Sequence, residues 1–389
     1  MSDARPFEGL FVVDFTHVLA GPACAYQLGL LGAEVVKVES PRGDAMRHRG
    51  GTDPRRAAAG MSTAYLTQGA GKRSVSLDLR TSRGRAAMDR LLARADVLIE
   101  NHRPSTLREL GLHESRTLAA HPRLIHCAMT GYGRGGPLED APAYDVNIQA
   151  TCGLMETTGT AESGPTRTGA PIIDYATALA ASFAISAALL GRERTGRGTF
   201  VDVSMLETAH VLMSSTITDY LVTGNAPRRR GNLANSRSPG AGSFPCREGT
   251  ISLGVNEENQ FARLAEALDR PLWLRDPRFA EPAARKRNAD ALQAEIEAAL
   301  RSRSAAQWET ILLEAGVPAA MVRTLPESLH SAQVEARAFL HHEGDVGRPT
   351  LPFRLDGATV HAPRGAAPTL GRHDAELEAD VPVERSAAP

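Results

Sequence analysis

Asp174 closes the run Gly169-Ala170-Pro171-Ile172-Ile173-Asp174 and directly precedes the apolar, helix-like stretch Tyr175 to Leu190. A carboxylate there is favoured in its ionised form by the positive end of the helix. Taken alone, it reads as an N-cap. His17-Val18-Leu19-Ala20-Gly21-Pro22 follows a strand-like run, where a dinucleotide-binding unit would carry G-x-G-x-x-G. One glycine, and a proline without an N–H, do not make that pyrophosphate cradle. Gly69-Ala70-Gly71-Lys72-Arg73-Ser74 puts a lysine after glycine but lacks the upstream glycine of a P-loop. It reads either as an anion-binding turn or as an exposed basic turn. Cys24, Cys127, Cys152 and Cys246 lie far apart without a C-x-x-C pair, and His341-His342 has no third ligand nearby. Such spacing supports no metal site.

The elements that must position these residues alternate. Leu10 to Phe15 is a short β-branched and aromatic run of the kind buried in a parallel sheet. Pro22 suits the first position of a helix, which the pattern carries from Cys24 to Leu31, with Gly32 at its end. Glu34 to Glu39 gives a second strand, completing a βαβ unit. The alternation continues through strands at Ser74–Leu79, Asp96–Glu100, Arg123–Met129 and Phe200–Val203. Helices fall at Ser82–Ala95, Asp174–Gly191 and Ser204–Val222. This predicts a doubly wound α/β core. From residue 225 to 242 the chain turns basic and loses apolar periodicity. Beyond it, a strand at Thr250–Val255 and helices at Phe261–Leu268, Ala289–Leu300 and Ala305–Ala315 predict a small second domain. The tail from about Arg337 is suited to wrapping another surface.

Composition narrows the function classes. Lys plus Arg number 44 and Asp plus Glu 45, a formal net charge of -1. That balance offers no global field to nucleic acid or to an anionic membrane. Apolar residues make up 42% and charged residues 23%, ordinary for a globular chain and not for a disordered one. MSDARPFEGL lacks the basic start and apolar core of a signal peptide, and no run of about 18 uncharged apolar residues is present. The expectation is a reduced, soluble, cytoplasmic protein with no nucleic-acid and no membrane partner.

Read together, the same turns resemble the class III CoA-transferase family, whose members include carnitine and formyl-CoA transferases and α-methylacyl-CoA racemases. The resemblance is carried by His17–Pro22, Leu31–Glu39 and Gly71–Asp78, then Asp96–Pro104 and Pro122–Ile125, then Gly131–Pro137 and Glu193–Gly198. It covers nearly the whole chain and is densest from residue 9 to 207. It implies an enzyme acting on a CoA thioester, with no tightly bound cofactor, and an aspartate nucleophile that falls at Asp174. Such a carboxylate attacks the thioester carbonyl, forms a mixed anhydride and releases CoA thiolate. The thiolate is then held as an aspartyl thioester before the new acyl-CoA forms, while nearby backbone N–H groups stabilise each oxyanion.

The resemblance also implies that His17, Val18, Leu19 and Ala20 border the acyl group and that Tyr144 and Asp145 line the pocket opposite the nucleophile. Gly240 and Gly242 belong to a substrate-facing loop. Lys72, Arg73, Asn101, His102 and Thr106 match a wall holding the CoA phosphates and pantetheine, a task for charge-assisted contacts. Arg108 stands beside Glu109, where family members often have arginine. The implied fold is α/β: a doubly wound, Rossmann-like large domain (1–224), a smaller α/β domain (225–326) and a C-terminal segment (327–389) returning to the large domain. Two chains would interlock as an intertwined homodimer.

Departures from the family pattern sharpen the reading. Racemases carry histidine where Tyr144 stands, and a phenol with pKa near 10 is a poor proton shuttle at neutral pH. Formyl-CoA transferases carry glutamine at Leu19 and consecutive glycines where this chain has Ser238-Pro239-Gly240-Ala241-Gly242-Ser243. Arg228-Arg229-Arg230 reads as a solvated loop or as a contact for a CoA phosphate or a dicarboxylate such as succinate or malate. The expected activity is acyl-CoA:carboxylate CoA transfer. A 2-methylacyl-CoA racemase, which would exchange an α-proton without an acceptor acid, and a non-catalytic CoA-binding protein are the competing readings.

Overall fold

The computed structural model describes residues 5–234, 236, 238–359 and 362–379. These divide into two compact units. One is drawn from Met1–Met155, Arg167–Ala226 and Arg337–Pro389, the other from Glu156–Thr166 and Pro227–Ala336.

The first unit is built on six parallel strands: β1 (Phe11–Phe15), β2 (Glu34–Glu39), β3 (Arg73–Ser76), β4 (Val97–Glu100), β5 (Ile125–Thr130) and β6 (Phe200–Ser204). Their order is β3-β2-β1-β4-β5-β6, so the winding direction reverses between β1 and β4. In such a sheet a crevice opens beyond the C-terminal ends of those two strands. Val13 registers with Val36 on one side and Leu98 on the other. Phe11, Val13 and Phe15 pack with Val38, Leu98 and the helix Ser82–Arg94 on one face of the sheet. Val12 packs on the other, with the helices Ala20–Leu30 and Ile172–Thr195. Both faces are covered, which is why the central strands read as continuous apolar runs.

Local differences from the sequence reading have physical causes. The first helix begins at Ala20, not Cys24, so Pro22 is its third residue, still within the turn whose N–H groups need no helical partner. Gly21 admits the helix onto the preceding turn, because a Cβ there would lie 2.5 Å from Thr16 Cβ. The expected helix Ser204–Val222 breaks at Met213 into Met205–Leu212 and Ser214–Thr223. The helix Ile172–Thr195 is long and apolar enough to cross a membrane by length and composition, which the sequence reading did not anticipate. Ala178, Ala181, Ile185 and Leu189 on one face pack into the sheet core, so that face is apolar for a reason internal to the fold. The described residues around Pro349 and Pro368 return to this unit: Tyr26 and Tyr65 hydroxyls donate to the carbonyls of Pro349 (3.2 Å) and Pro368 (2.8 Å).

The second unit holds an antiparallel sheet in the order β7 (Ala241–Pro245), β8 (Thr250–Gly254), β9 (Ala319–Met321). The helices Glu258–Ala267, Ala289–Leu300 and Ala305–Glu314 belong to the same unit, and Phe244, Ile251, Phe261, Trp273, Leu292, Trp308 and Leu312 form its core.

Candidate active site

The crevice at the strand reversal is a cavity of about 340 Å³, within the usual range for a small-molecule site. Its first wall is the turn after β1. Every residue of that turn is pinned through its backbone. Thr16 N–H and hydroxyl donate to Asp14, and Thr16 carbonyl accepts from Lys37 Nζ at 2.8 Å. The Asn101 side chain brackets His17, its oxygen accepting the N–H at 2.9 Å and its amide donating to the carbonyl at 2.8 Å. Val18 N–H donates to both Asp44 carboxylate oxygens at 3.2 Å. Val18 has φ +69°, a left-handed conformation that is a genuine outlier for a β-branched residue.

The turn delivers the chain into the helix Ala20–Leu30, which no side chain caps. The N–H groups of Leu19, Ala20 and Gly21 have no hydrogen-bond partner among the described residues. The positive end of this helix therefore faces the cavity open. The helix Ile172–Thr195 runs beside it in the same sense, since Ala20 and Asp174 line one cavity and Ser182 hydroxyl donates to Gln27 farther along at 2.7 Å. Two helix N-termini thus converge on the site.

The second terminus is capped from outside. Pro171 is its N-cap, and Asp174 is the third helical residue, not the cap expected from sequence alone. Asp145 supplies the cap: one carboxylate oxygen accepts the N–H of Ile173 at 2.8 Å and of Asp174 at 3.2 Å. Its other oxygen accepts from buried Gln149 at 2.5 Å, whose carbonyl oxygen in turn receives Thr168 N–H at 3.0 Å. Asp145 so stands behind the nucleophile candidate, not opposite it across the pocket. Burial, followed by the charge of Asp145, pushes the Asp174 carboxyl up to about 7.

His17 and His102 pair in the wall with ring centroids 5.1 Å apart, and Phe15 packs on His102. Burial, then His17, pushes His102 down to about 3; burial also lowers His17. Both imidazoles are neutral at physiological pH. Tyr144, 63% exposed, and Thr106 complete the residues expected here that line the cavity.

The expected cationic wall is not in this cavity. Lys72 is buried, with Nζ 2.7 Å from Asp14 and 2.8 Å from the Pro22 carbonyl. Arg73 is paired with Glu34 and Glu376 at 2.7 and 2.8 Å. Both line a second cavity of about 630 Å³ beside the first residues of β2 and β3, at the opposite end of the parallel sheet. A lysine between a buried carboxylate and a carbonyl has no charge to spare for a phosphate. Arg108 is exposed and weakly paired with Asp140 at 3.5 Å, outside the cavity lining. Arg103, not singled out in the sequence, lines the cavity as its cation. Its only signal was its place between Asn101-His102 and the helix-opening Pro104. Asn101 is in place, but its amide is committed to His17. Gly242 lies within β7, registered with Leu253, and Gly240 directly precedes that strand, so Gly242 sits in a strand where a loop was expected. Arg229 is paired with Glu156 at 2.6 Å. Asp44, Lys37 and Gln149 were not legible as site residues at all.

Comparison with known proteins gives the family. The model of CoA-transferase family III matches residues 7–374. The chain is 34% identical over 374 residues to an acetyl-CoA:oxalate CoA-transferase of Acetobacter aceti, covering 96% of this chain and 95% of that one. It is 34% identical over 386 residues to a succinyl-CoA–D-citramalate CoA-transferase of Chloroflexus aurantiacus, covering 97% and 94%. A CAIB/BAIF family protein from Brucella suis superposes with a TM-score of 0.86 at 31% identity, covering 97% of this chain and 99% of that structure. The chain belongs to CoA-transferase family III, the class III CoA-transferases, and is an enzyme of that class.

Proposed function

We propose that this enzyme transfers CoA from a donor acyl-CoA to an acceptor dicarboxylic acid, with Asp174 as nucleophile. The observation that carries the reading is the placement of Asp174 in a cavity that also receives the uncapped N-terminus of the Ala20–Leu30 helix. Asp174 attacks the thioester carbonyl, the C–S bond breaks, and CoA thiolate leaves a mixed anhydride. The thiolate attacks the aspartyl carbonyl of that anhydride, releasing the donor acid and leaving an aspartyl-CoA thioester. The acceptor carboxylate attacks this thioester to give a second anhydride and thiolate. Thiolate then takes the acceptor acyl group and Asp174 is regenerated. Every attacking and leaving group is an anion, thiolate or carboxylate, and no step moves a proton, which suits a site with two neutral histidines. The free N–H groups of Leu19, Ala20 and Gly21 suit the oxyanions.

Dicarboxylate acceptance is supported by relatives named for oxalate, D-citramalate, glutarate and mesaconate. Oxalate is among them although Leu19 departs from the formyl-CoA transferase pattern. Arg103 is the group best placed to meet a CoA phosphate. The active form in this reading is a homodimer. Ile172, Tyr175, Leu179, Phe183 and Leu190 form one exposed stripe along the Ile172–Thr195 helix, and a contiguous apolar stripe supports an interaction surface.

Trapping tests the reading. The protein is incubated with succinyl-CoA and a panel of short acyl-CoAs, quenched with hydroxylamine, and the modified peptide is mapped by mass spectrometry. Hydroxamate at Asp174 is the expected result. An unmodified Asp174 with every donor, together with solvent deuterium at the substrate α-carbon, would replace transfer by racemisation.

A further inference from the structure

The strain at Val18 has no local cause in the sequence. A β-branched residue at φ +69° is strained, and such conformations persist only where surroundings over-determine them. Here the determinant is Asp44. Both its carboxylate oxygens lie 3.2 Å from Val18 N. The carboxylate is itself immobile: it is 5% exposed, 3.1 Å from Lys37 Nζ, and accepts Met46 N–H at 2.9 Å. Lys37 extends the same clamp to the Thr16 carbonyl. Asp44 does not itself line the cavity, whereas Val18 does, so its effect passes through the Val18 backbone.

Resting on the transfer reading above, we propose that Asp44 is a positioning residue for catalysis. It holds Val18 in the left-handed conformation, and that turn aims the unpaired N–H groups of Leu19 and Ala20 at the oxyanions formed on Asp174. The arrangement stores strain in the oxyanion wall and relies on one buried ion pair to keep it there. Without the clamp, Val18 relaxes to negative φ and the following peptide rotates away from the cavity. Misplacement of this kind costs rate more than binding, since the thioester body is held by other residues.

Two substitutions and their combination test this. Asp44→Asn keeps the shape but removes the charge that Lys37 locks. Val18→Gly takes positive φ without strain and needs no clamp. Asp44→Asn should lower kcat for CoA exchange by about 10- to 100-fold while KM for the acyl-CoA stays within about threefold. Adding Val18→Gly to Asp44→Asn should restore at least about tenfold of that loss, a rescue that a merely destabilised fold would not show. Hydrogen exchange of the peptide spanning residues 16–21, read by mass spectrometry, should quicken in Asp44→Asn. Wild-type kcat in Asp44→Asn, a rise in KM in place of the fall in kcat, or a loss that Val18→Gly leaves untouched would each overturn the proposal. If peptide 16–21 responds as expected but the wild-type protein exchanges CoA with no donor, the clamp stands and the transfer reading fails.

Discussion

Asp145 accepts the backbone N–H of Asp174 at 3.2 Å and, after burial, is the second cause that raises the pKa of the same residue's side chain. One carboxylate therefore completes the helix that carries the nucleophile and holds back its ionisation. The cost is a carboxyl half-protonated near neutrality, where a free aspartate would be fully charged.

Acylation should follow the ionisation of Asp174. Only the carboxylate attacks, so the rate of hydroxylamine-trapped acyl-enzyme should climb with pH through about 7 and level off above it. Asp145→Asn keeps an oxygen for the Ile173 and Asp174 N–H groups but removes the neighbouring charge. Its midpoint should fall. A midpoint that stays in place would leave burial as the sole cause.

The raised pKa also makes Asp174 a stability liability. Its folded value, about 7, exceeds the ordinary aspartate value of 3.8, so the native state binds protons more tightly than the unfolded chain. Stability on this account is fully present below about pH 4 and is lost as pH rises to 7. Asp174→Asn should be inactive yet gain about 1–3 kcal/mol at pH 8, after allowance for its partial exposure. The gain should vanish near pH 4. Denaturant unfolding at the two pH values measures the difference.

Lys72 should act in the fold, and Arg103 at the CoA, where the resemblance implied Lys72 and Arg73. Lys72→Met leaves buried Asp14 without its closest cation and should cost about 3–5 kcal/mol of stability. Arg73→Gln should leave KM for acyl-CoA within about twofold, because its partners are Glu34 and Glu376. Arg103→Gln should raise that KM by about five- to tenfold at low ionic strength and by less in salt. Equal KM values for the two arginine variants would remove Arg103 from CoA binding.

The outward stripe of the Ile172–Thr195 helix should control assembly. Phe183 is 77% exposed and Leu190 59%. Phe183→Asp combined with Leu190→Asp should lower the mass measured by light scattering to that of one chain. A wild-type protein that is already monomeric at micromolar concentration would contradict the homodimer.

The sheet was legible because its central strands are buried on both faces and write themselves as apolar runs: Phe11 to Phe15 and Val97 to Ile99 need no context. Asp174 was legible as a carboxylate at a helix start. Its cap was not, because Asp145 reaches it from 29 residues away and leaves no local capping-box pattern. Lys72 illustrates the harder limit. A lysine after glycine looks the same whether it awaits an anion or already has one, and the carboxylate that decides is Asp14, 58 positions earlier. Asn101 lines the cavity, and the sequence does not show that its side chain is taken by the His17 backbone. Strain at Val18 has no sequence signature, since nothing in the residue type announces a positive φ.

The helix that delivers Asp174 has a second consequence, for how the chain is made. Its 24 residues leave the ribosome after β1 to β5 and before β6, which follows within a few residues. The inward face, with Ile185 and Leu189, thus meets a sheet lacking only its last strand. The outward face stays exposed within its own unit, Phe183 and Leu190 most of all, and the segment is long and apolar enough by length and composition to cross a membrane. Until it is covered, that outward face is exposed apolar surface of the kind that makes a folding chain prone to aggregate.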